Sequence, residues 1–170
     1  VALSVTTLDR KLARTMEPRA STPPKRLEAV RALNEAGVPA SVMIGPVIPG
    51  LNDMEIERIL ESAVTAGARE AGYVLLRLPL EVSPIFKDWL LRHYPDRFRH
   101  VMSLVRSMRG GKDYDAEWGK RMRGSGPYAW QIGRRFELAA KRLGLNTERR
   151  RLRADLAGAP AREGEQLSLL

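Results

Sequence analysis

Cysteine is absent from all 170 residues. That excludes disulfides, thiolate zinc sites, cysteine nucleophiles and cysteine-held iron–sulfur clusters within these residues. Long apolar runs are missing as well. None approaches the roughly 20 residues that a membrane span requires, so a soluble, cytoplasmic chain with no membrane partner is the expectation. Histidine is scarce: His93 and His100 flank Pro95 with no metal-type spacing and read as surface or helix-end residues. No nucleophile–base pair stands out, which leaves catalytic residues unassigned.

Positive charge is in excess, at a formal +9, and it is unevenly spread. Residues 81–147 carry fourteen Lys or Arg against seven Asp or Glu, whereas 1–80 and 148–170 are each near balance. A basic surplus on one segment steers it toward phosphate-rich partners. A solvated, arginine-rich surface is the plainer reading. The stretch 148–170, rich in Arg, Ala, Gly and Glu, reads as a disordered tail.

The first 80 residues alternate strand and helix patterns. A β-branched strand over 2–7 is followed by a short helix at Asp9 to Met16. A second helix is capped by Ser21 or Thr22, opened by Pro23 and Pro24 and stopped by Gly37. A strand over 40–44 leads through Gly45-Pro46-Val47-Ile48-Pro49-Gly50-Leu51 to a helix capped by Asn52 or Asp53. A third strand spans 72–78. Strand-to-strand spacings of 38 and 32 residues, from Ser4 to Val42 to Val74, fit successive βα units of a barrel or a doubly wound sheet. Beyond residue 80 the pattern is all-helical. Helices open at Ser83-Pro84, Pro95 and Gly126-Pro127, and a weaker one is marked by Trp118 and Met122. The organisation expected is a βα unit at 1–80, a basic helical extension at 81–147 and the tail at 148–170.

In βα folds, ligand groups sit at the carboxyl ends of strands and on the loops that follow. Ser4 and Thr6 share one strand face; they can present two hydroxyls to a sugar or carboxylate, or they can bond locally. The loop Gly45 to Asp53, stiffened by two prolines, either holds something flat or anionic or is a rigid turn that starts a helix. Arg77, in an apolar strand, needs a carboxylate, a ligand or a path to water. Glu17 and Arg19 can bind a substrate or each other.

Taken together, Ser4-Val5-Thr6-Thr7, Met16-Glu17-Pro18-Arg19, the Pro-Val-Ile-Pro-Gly-Leu-Asn-Asp core of residues 46–53 and Gly72 to Pro79 resemble the C-terminal half of radical SAM proteins. The subgroup resembled is the DNA-repair-photolyase-like, or spore-photoproduct-lyase-like, bacterial one. The similarity extends through Arg109-Gly110-Gly111 and Met122 to Tyr128, covering residues 1–145.

The resemblance implies an α/β fold: the C-terminal half of a partial (β/α)6 TIM-like barrel, three parallel strands, followed by the helical extension. It implies S-adenosylmethionine and a [4Fe–4S] cluster that cleaves it reductively, with a 5′-deoxyadenosyl radical abstracting a substrate hydrogen. It places Ser4 and Thr6 near the ribose and methionyl group, Glu17 at an acidic position after the same strand, Val47, Ile48, Pro49 and Gly50 against adenine, and Arg77 with Leu78 beside it. The cluster's Cys-x-x-x-Cys-x-x-Cys signature belongs to a missing N-terminal half of the barrel, which makes that half a partner and this chain alone inactive. Nucleic acid is a candidate substrate. The alternative reading is a non-catalytic, basic helical nucleic-acid-binding module, with strongly salt-dependent affinity. An aldolase-type barrel fragment is disfavoured, since none of the strands carries a lysine for a Schiff base.

Overall fold

The computed structural model describes residues 1–148; the expected tail lies almost wholly outside them. Three parallel strands stand side by side in chain order: β1 (Ala2–Ser4), β2 (Ser41–Val47) and β3 (Glu70–Leu75). Between β1 and β2 run α1 (Arg10–Met16) and α2 (Pro23–Glu35). A 3-10 turn (Asp53–Glu55) and α3 (Ile56–Thr65) join β2 to β3. The remaining helices are α4 (Val82–His93), α5 (Phe98–Ser107), α6 (Lys120–Arg123) and α7 (Gly126–Arg142). This is a mixed α/β fold with one open parallel sheet and several helices, as a partial barrel with a helical extension requires.

Strand bounds differ from the sequence reading for identifiable reasons. β1 ends at Ser4 rather than residue 7. Val5 still donates to the Met43 carbonyl (2.9 Å), but the Thr6 carbonyl accepts from the Asn52 side-chain amide (2.8 Å) instead of a neighbouring strand. β2 continues past Ile44 through a cis Gly45–Pro46 peptide. It tolerates the proline because the register breaks between Ile44 and Val47, where no ladder N–H is needed.

The sheet has two unlike faces. Alternate residues Val42, Ile44, Tyr73 and Leu75 face a core shared with Val30 of α2, Ile59 and Leu60 of α3, and Ile132 and Phe136 of α7. Thus α7, far along the chain, closes the same core as the strands. The paired positions Ser4, Met43 and Gly72 lie on the opposite face, where no residue is fully buried. A second core sits beyond the strand tips, where Leu12, Ile48, Leu51, Leu76 and Leu78 meet Phe86 and Leu90 of α4 and Val101 and Met102 of α5. Trp89 locks α4 to α1 by donating its indole N–H to the Thr15 carbonyl (2.9 Å).

The edges of the sheet are treated differently. At β3 the Asn146 side-chain amide imitates a neighbouring strand: its Oδ1 accepts from the Ala71 N–H (2.9 Å) and its Nδ2 donates to the Ala71 carbonyl (3.0 Å). Asn146 also donates its own N–H to the Arg69 carbonyl. At β1 the outward Ser4 carbonyl is met instead by Arg26 (3.0 Å).

The weak helix marked by Trp118 and Met122 is a single turn, α6, stopped on both sides by Gly119 and Gly124 at positive φ. Trp118 and Met122 are both exposed instead of packing inward.

Ion pairs tie the late helices down. Arg135 of α7 donates to both carboxylate oxygens of Glu57 on α3 (2.8 and 2.7 Å). Asp113 gathers Lys87 of α4, Arg106 of α5 and the Ser83 hydroxyl. Arg135 holds Glu57 below its ordinary 4.5, and Lys87, helped by Arg106 and Ser83, holds Asp113 below its ordinary 3.8. Each carboxyl is depressed on folding, so its stabilising contribution is complete above the unfolded value and is lost as pH falls through the folded one. Urea midpoints should therefore hold steady from about pH 7 to about pH 5.5 and drop below about pH 4.5. Glu57→Gln and Asp113→Asn should each lower the plateau and flatten the drop; an unchanged acid limb in both variants would contradict this assignment.

Candidate functional site

The three strand tips lie next to one another at the same end of the sheet, because all three strands are parallel and adjacent. At the β1 tip, three of the sequence-selected residues converge. Thr6, 3% exposed, donates its hydroxyl toward the Gly45 carbonyl (2.9 Å) and Glu17 Oε2 (3.2 Å). That same carboxylate oxygen accepts from Arg26 Nη2 (2.9 Å), and Arg26 Nη1 donates to both the carbonyl (3.0 Å) and the hydroxyl (3.2 Å) of Ser4.

Glu17 therefore pairs with Arg26 rather than with its near neighbour Arg19. The reason is geometric: α1 returns the chain to the β1 tip near the first turn of α2, where Arg26 reaches both Glu17 and Ser4. Arg26 was not selected from the sequence. Its sole sequence signal is its place in the first turn of the helix that follows β1. Beside Glu17 a depression of about 390 Å³ opens between α1 and the start of α2, lined by Arg10, Arg14, Thr22 and Pro23 among others. Volumes of this order suit small-molecule ligands.

The loop after β2 is pinned from below. Asn52, 2% exposed, accepts from the Ile48 N–H (2.6 Å) and donates to the carbonyls of Thr6 (2.8 Å) and Pro46 (3.1 Å). Its neighbour Asp53 accepts from the Gly50 N–H (2.9 Å) and from the Tyr128 hydroxyl (2.7 Å). Burial and that hydrogen bond push the Tyr128 hydroxyl up to about 12, so it remains a donor. Gly50 has φ of +71°, and a Cβ there would lie 3.0 Å from the His100 ring. Asn52 and Asp53, read from sequence as helix caps, serve as staples for the loop; neither makes a side-chain cap bond to the helix.

Val47, Ile48, Pro49 and Leu78 are buried within this chain, Ile48 at 0% and Leu78 at 1% exposure. Val47 packs into the first core, and Ile48 and Leu78 into the second. Gly50 is partly covered by His100 and Leu104 of α5. The buried side chains of this loop therefore do not join Ser4, Thr6 and Glu17.

Arg77 lies beyond β3, at the opposite flank from Ser4. It meets no carboxylate among the described residues; Nη1 approaches the Met122 sulfur (3.6 Å) and Nε is buried without a partner. A second arginine the sequence reading did not single out as a site residue stands near it. Arg109 is 1% exposed, and its guanidinium donates to the Leu76 carbonyl (2.9 Å) and the Lys120 carbonyl (2.7 Å). Burial pulls its pKa below that of an ordinary arginine. It anchors the end of β3 to α6.

Two ligands implied by the resemblance can be tested against these groups. A nucleoside-sulfonium fits the β1 flank by its chemistry: the exposed Ser4 hydroxyl, the partly exposed Glu17 carboxylate and the sheet face on which Met43 lies between Ser4 and Gly72. An iron–sulfur cluster does not fit this chain, since it has no cysteine and no metal-holding group of His, Asp and Glu exists among the described residues. No described helix is long and apolar enough to cross a membrane.

Uncharacterized proteins of Mycobacterium tuberculosis and Mycobacterium bovis are each 32% identical to the chain over 108 residues, which cover 62% of it and 32% of the relative. An uncharacterized protein of Acidianus two-tailed virus is 40% identical over 47 residues, 28% of this chain and 16% of its own length. The chain thus spans about a third of the length of the Mycobacterium relatives it matches. No solved structure matches it. Residues 1–63, which hold β1, β2 and the whole Ser4–Thr6–Glu17–Arg26 network, match the family described as the Radical SAM superfamily, whose members in general use S-adenosylmethionine and a [4Fe–4S] cluster.

Proposed function

We propose that this chain forms the wall of a radical SAM barrel that binds S-adenosylmethionine, with the cluster held by cysteines outside these 170 residues. The observation that carries the reading is the meeting of Ser4, Thr6 and Glu17 at one strand tip, inside the segment that matches the family. When bound, S-adenosylmethionine and a reduced [4Fe–4S] cluster supply the hydrogen-abstracting chemistry.

Ser4 offers an exposed hydroxyl to a ribose or to the methionyl end. Glu17 offers a carboxylate, attractive to an ammonium or sulfonium, and Arg26 holds it in place (2.9 Å). Thr6 orients Glu17 and ties it to Gly45, whose backbone floors the site. Arg77, with its unpartnered Nε, supplies a cation at the far flank. Val47, Ile48, Pro49, Gly50 and Leu78 shape the wall from behind through packing and backbone position. The finer family placement, with the photolyase-like subgroup, rests on the shared sequence motifs. Nucleic acid is the substrate class that the basic helices favour.

The test is S-adenosylmethionine affinity, by equilibrium dialysis, of the protein joining this chain to a cluster-bearing segment. Glu17→Gln and Thr6→Val should each weaken binding about tenfold, the loss of one charge-assisted hydrogen bond or its orienting partner. Ser4→Ala and Arg77→Ala should weaken it several-fold. Unchanged affinity in the Ser4, Thr6 and Glu17 variants together would remove the assignment.

A further inference from the structure

Two of the three tryptophans of this chain stand in solvent: Trp118 is 82% exposed and Trp130 is 70% exposed. Both flank α6, Trp118 in the loop before it and Trp130 on α7 after it. Large aromatic side chains are ordinarily well buried, and their exposure in pairs marks a surface that receives something flat.

The cations between them are arranged to match. The Arg121 guanidinium lies over the Trp118 ring, 4.2 Å from its centroid, and Arg123 lies over the Tyr73 ring at 4.3 Å. Among the described residues neither arginine has a carboxylate within ion-pair distance. They contrast with Lys120 beside them, which is paired to Glu117, and with Arg135, which is committed to Glu57. Tyr73, Arg123, Trp130 and Arg134 together line a depression of about 310 Å³ along the start of α7.

We propose that this surface binds single-stranded nucleic acid, with bases stacking on Trp118 and Trp130 and phosphates taken by Arg121 and Arg123. Exposed indoles beside guanidiniums that have no carboxylate partner, with one face of Trp118 carrying Arg121 and the rest of the ring in solvent, are what a backbone-tracking, sequence-tolerant single-strand site needs. A duplex hides its base faces, so the tryptophans would have nothing to stack on. The proposal deepens the reading above, on which it rests only for the idea that a bound strand is the substrate. Binding at this surface needs neither S-adenosylmethionine nor a cluster.

Fluorescence anisotropy of a labelled oligothymidylate of about 12 nucleotides, long enough for one single-strand site, provides the test. Trp118→Ala and Trp130→Ala should each weaken binding about tenfold. Arg121→Ser with Arg123→Ser should reduce the slope of log affinity against log salt by about 1.4, two single-strand phosphates' worth. Arg31→Ser, an exposed arginine on α2, is the control and should leave the affinity nearly unchanged. All of these side chains but the partly exposed Arg121 are exposed, so the fold, followed by circular dichroism, should be kept. The proposal is overturned if the unaltered protein does not bind the strand, if a duplex binds more tightly, if polyglutamate competes as well as the oligonucleotide, or if the control loses as much as the tryptophan variants. Loss of S-adenosylmethionine binding with strand binding intact would overturn the cofactor reading alone, and the reverse result would overturn this surface alone.

Discussion

Asn52→Asp is expected to destabilise the fold by about 3–5 kcal/mol at neutral pH, more than Asn52→Ala, although the substitution changes a single group. Asn52 is 2% exposed and joins three backbone groups from two strand tips: it accepts from Ile48 and donates to Thr6 and Pro46. The aspartate keeps the acceptor but turns a second carboxylate oxygen toward two carbonyl oxygens. A charge buried against acceptors costs more than the missing amide alone. Alanine removes the three bonds and leaves the partners unsatisfied, at about 2–3 kcal/mol.

The two variants separate further with pH. A buried carboxyl facing acceptors has a raised folded pKa, and its protonated form can donate one bond. The stability of Asn52→Asp relative to Asn52→Ala should therefore improve as pH falls from about 7 to about 5. Urea unfolding at both pH values decides it. Equal stability of the two at neutral pH would show that the amide donors are not engaged as described. Because Thr6 and Pro46 border the proposed ligand site, loss of S-adenosylmethionine affinity should accompany either substitution.

Arg109→Ala should cost about 3–5 kcal/mol, comparable to deleting a large core side chain. The residue is 1% exposed, fills space between β3, the end of α5 and α6, and donates to the Leu76 carbonyl and to the Lys120 carbonyl, which also accepts from the Gly124 N–H. Arg109→Lys should not restore the loss, because a single ammonium cannot span two carbonyls that a guanidinium fork reaches together. Arg109→Met should recover the packing part alone and fall between wild type and alanine. A change below about 1 kcal/mol for Arg109→Ala would mean that solvent replaces the guanidinium without penalty.

Much of the fold was legible along the chain, since its signals are local. Pro23 and Pro24 opened α2 and Gly37 closed it; Gly126-Pro127 opened α7. Strand spacings of 38 and 32 residues pointed to successive βα units, and the three strands are parallel. Where the reading missed bounds, a nonlocal bond was responsible. The Thr6 carbonyl is taken by the Asn52 side chain, 46 residues on, so β1 is shorter than its β-branched run. Two helix-type markers, Trp118 and Met122, stayed outside because two glycines limit α6 to one turn.

The site divided along the same line. Residue identity and order were enough to select Ser4, Thr6 and Glu17, because βα geometry sends post-strand residues to one end of a sheet. They could not reveal that Glu17 would take Arg26 over Arg19, or that Ile48 and Leu78 would sink into a core closed by α4 and α5. Those outcomes depend on which helix packs over which strand tip, and that is decided by burying apolar area contributed by residues as distant as Phe86 and Met102. Composition alone determined that no cysteine-held cluster resides in these residues. Only the packed structure decided which cations remain unpaired, because a guanidinium's availability is set by what surrounds it in space.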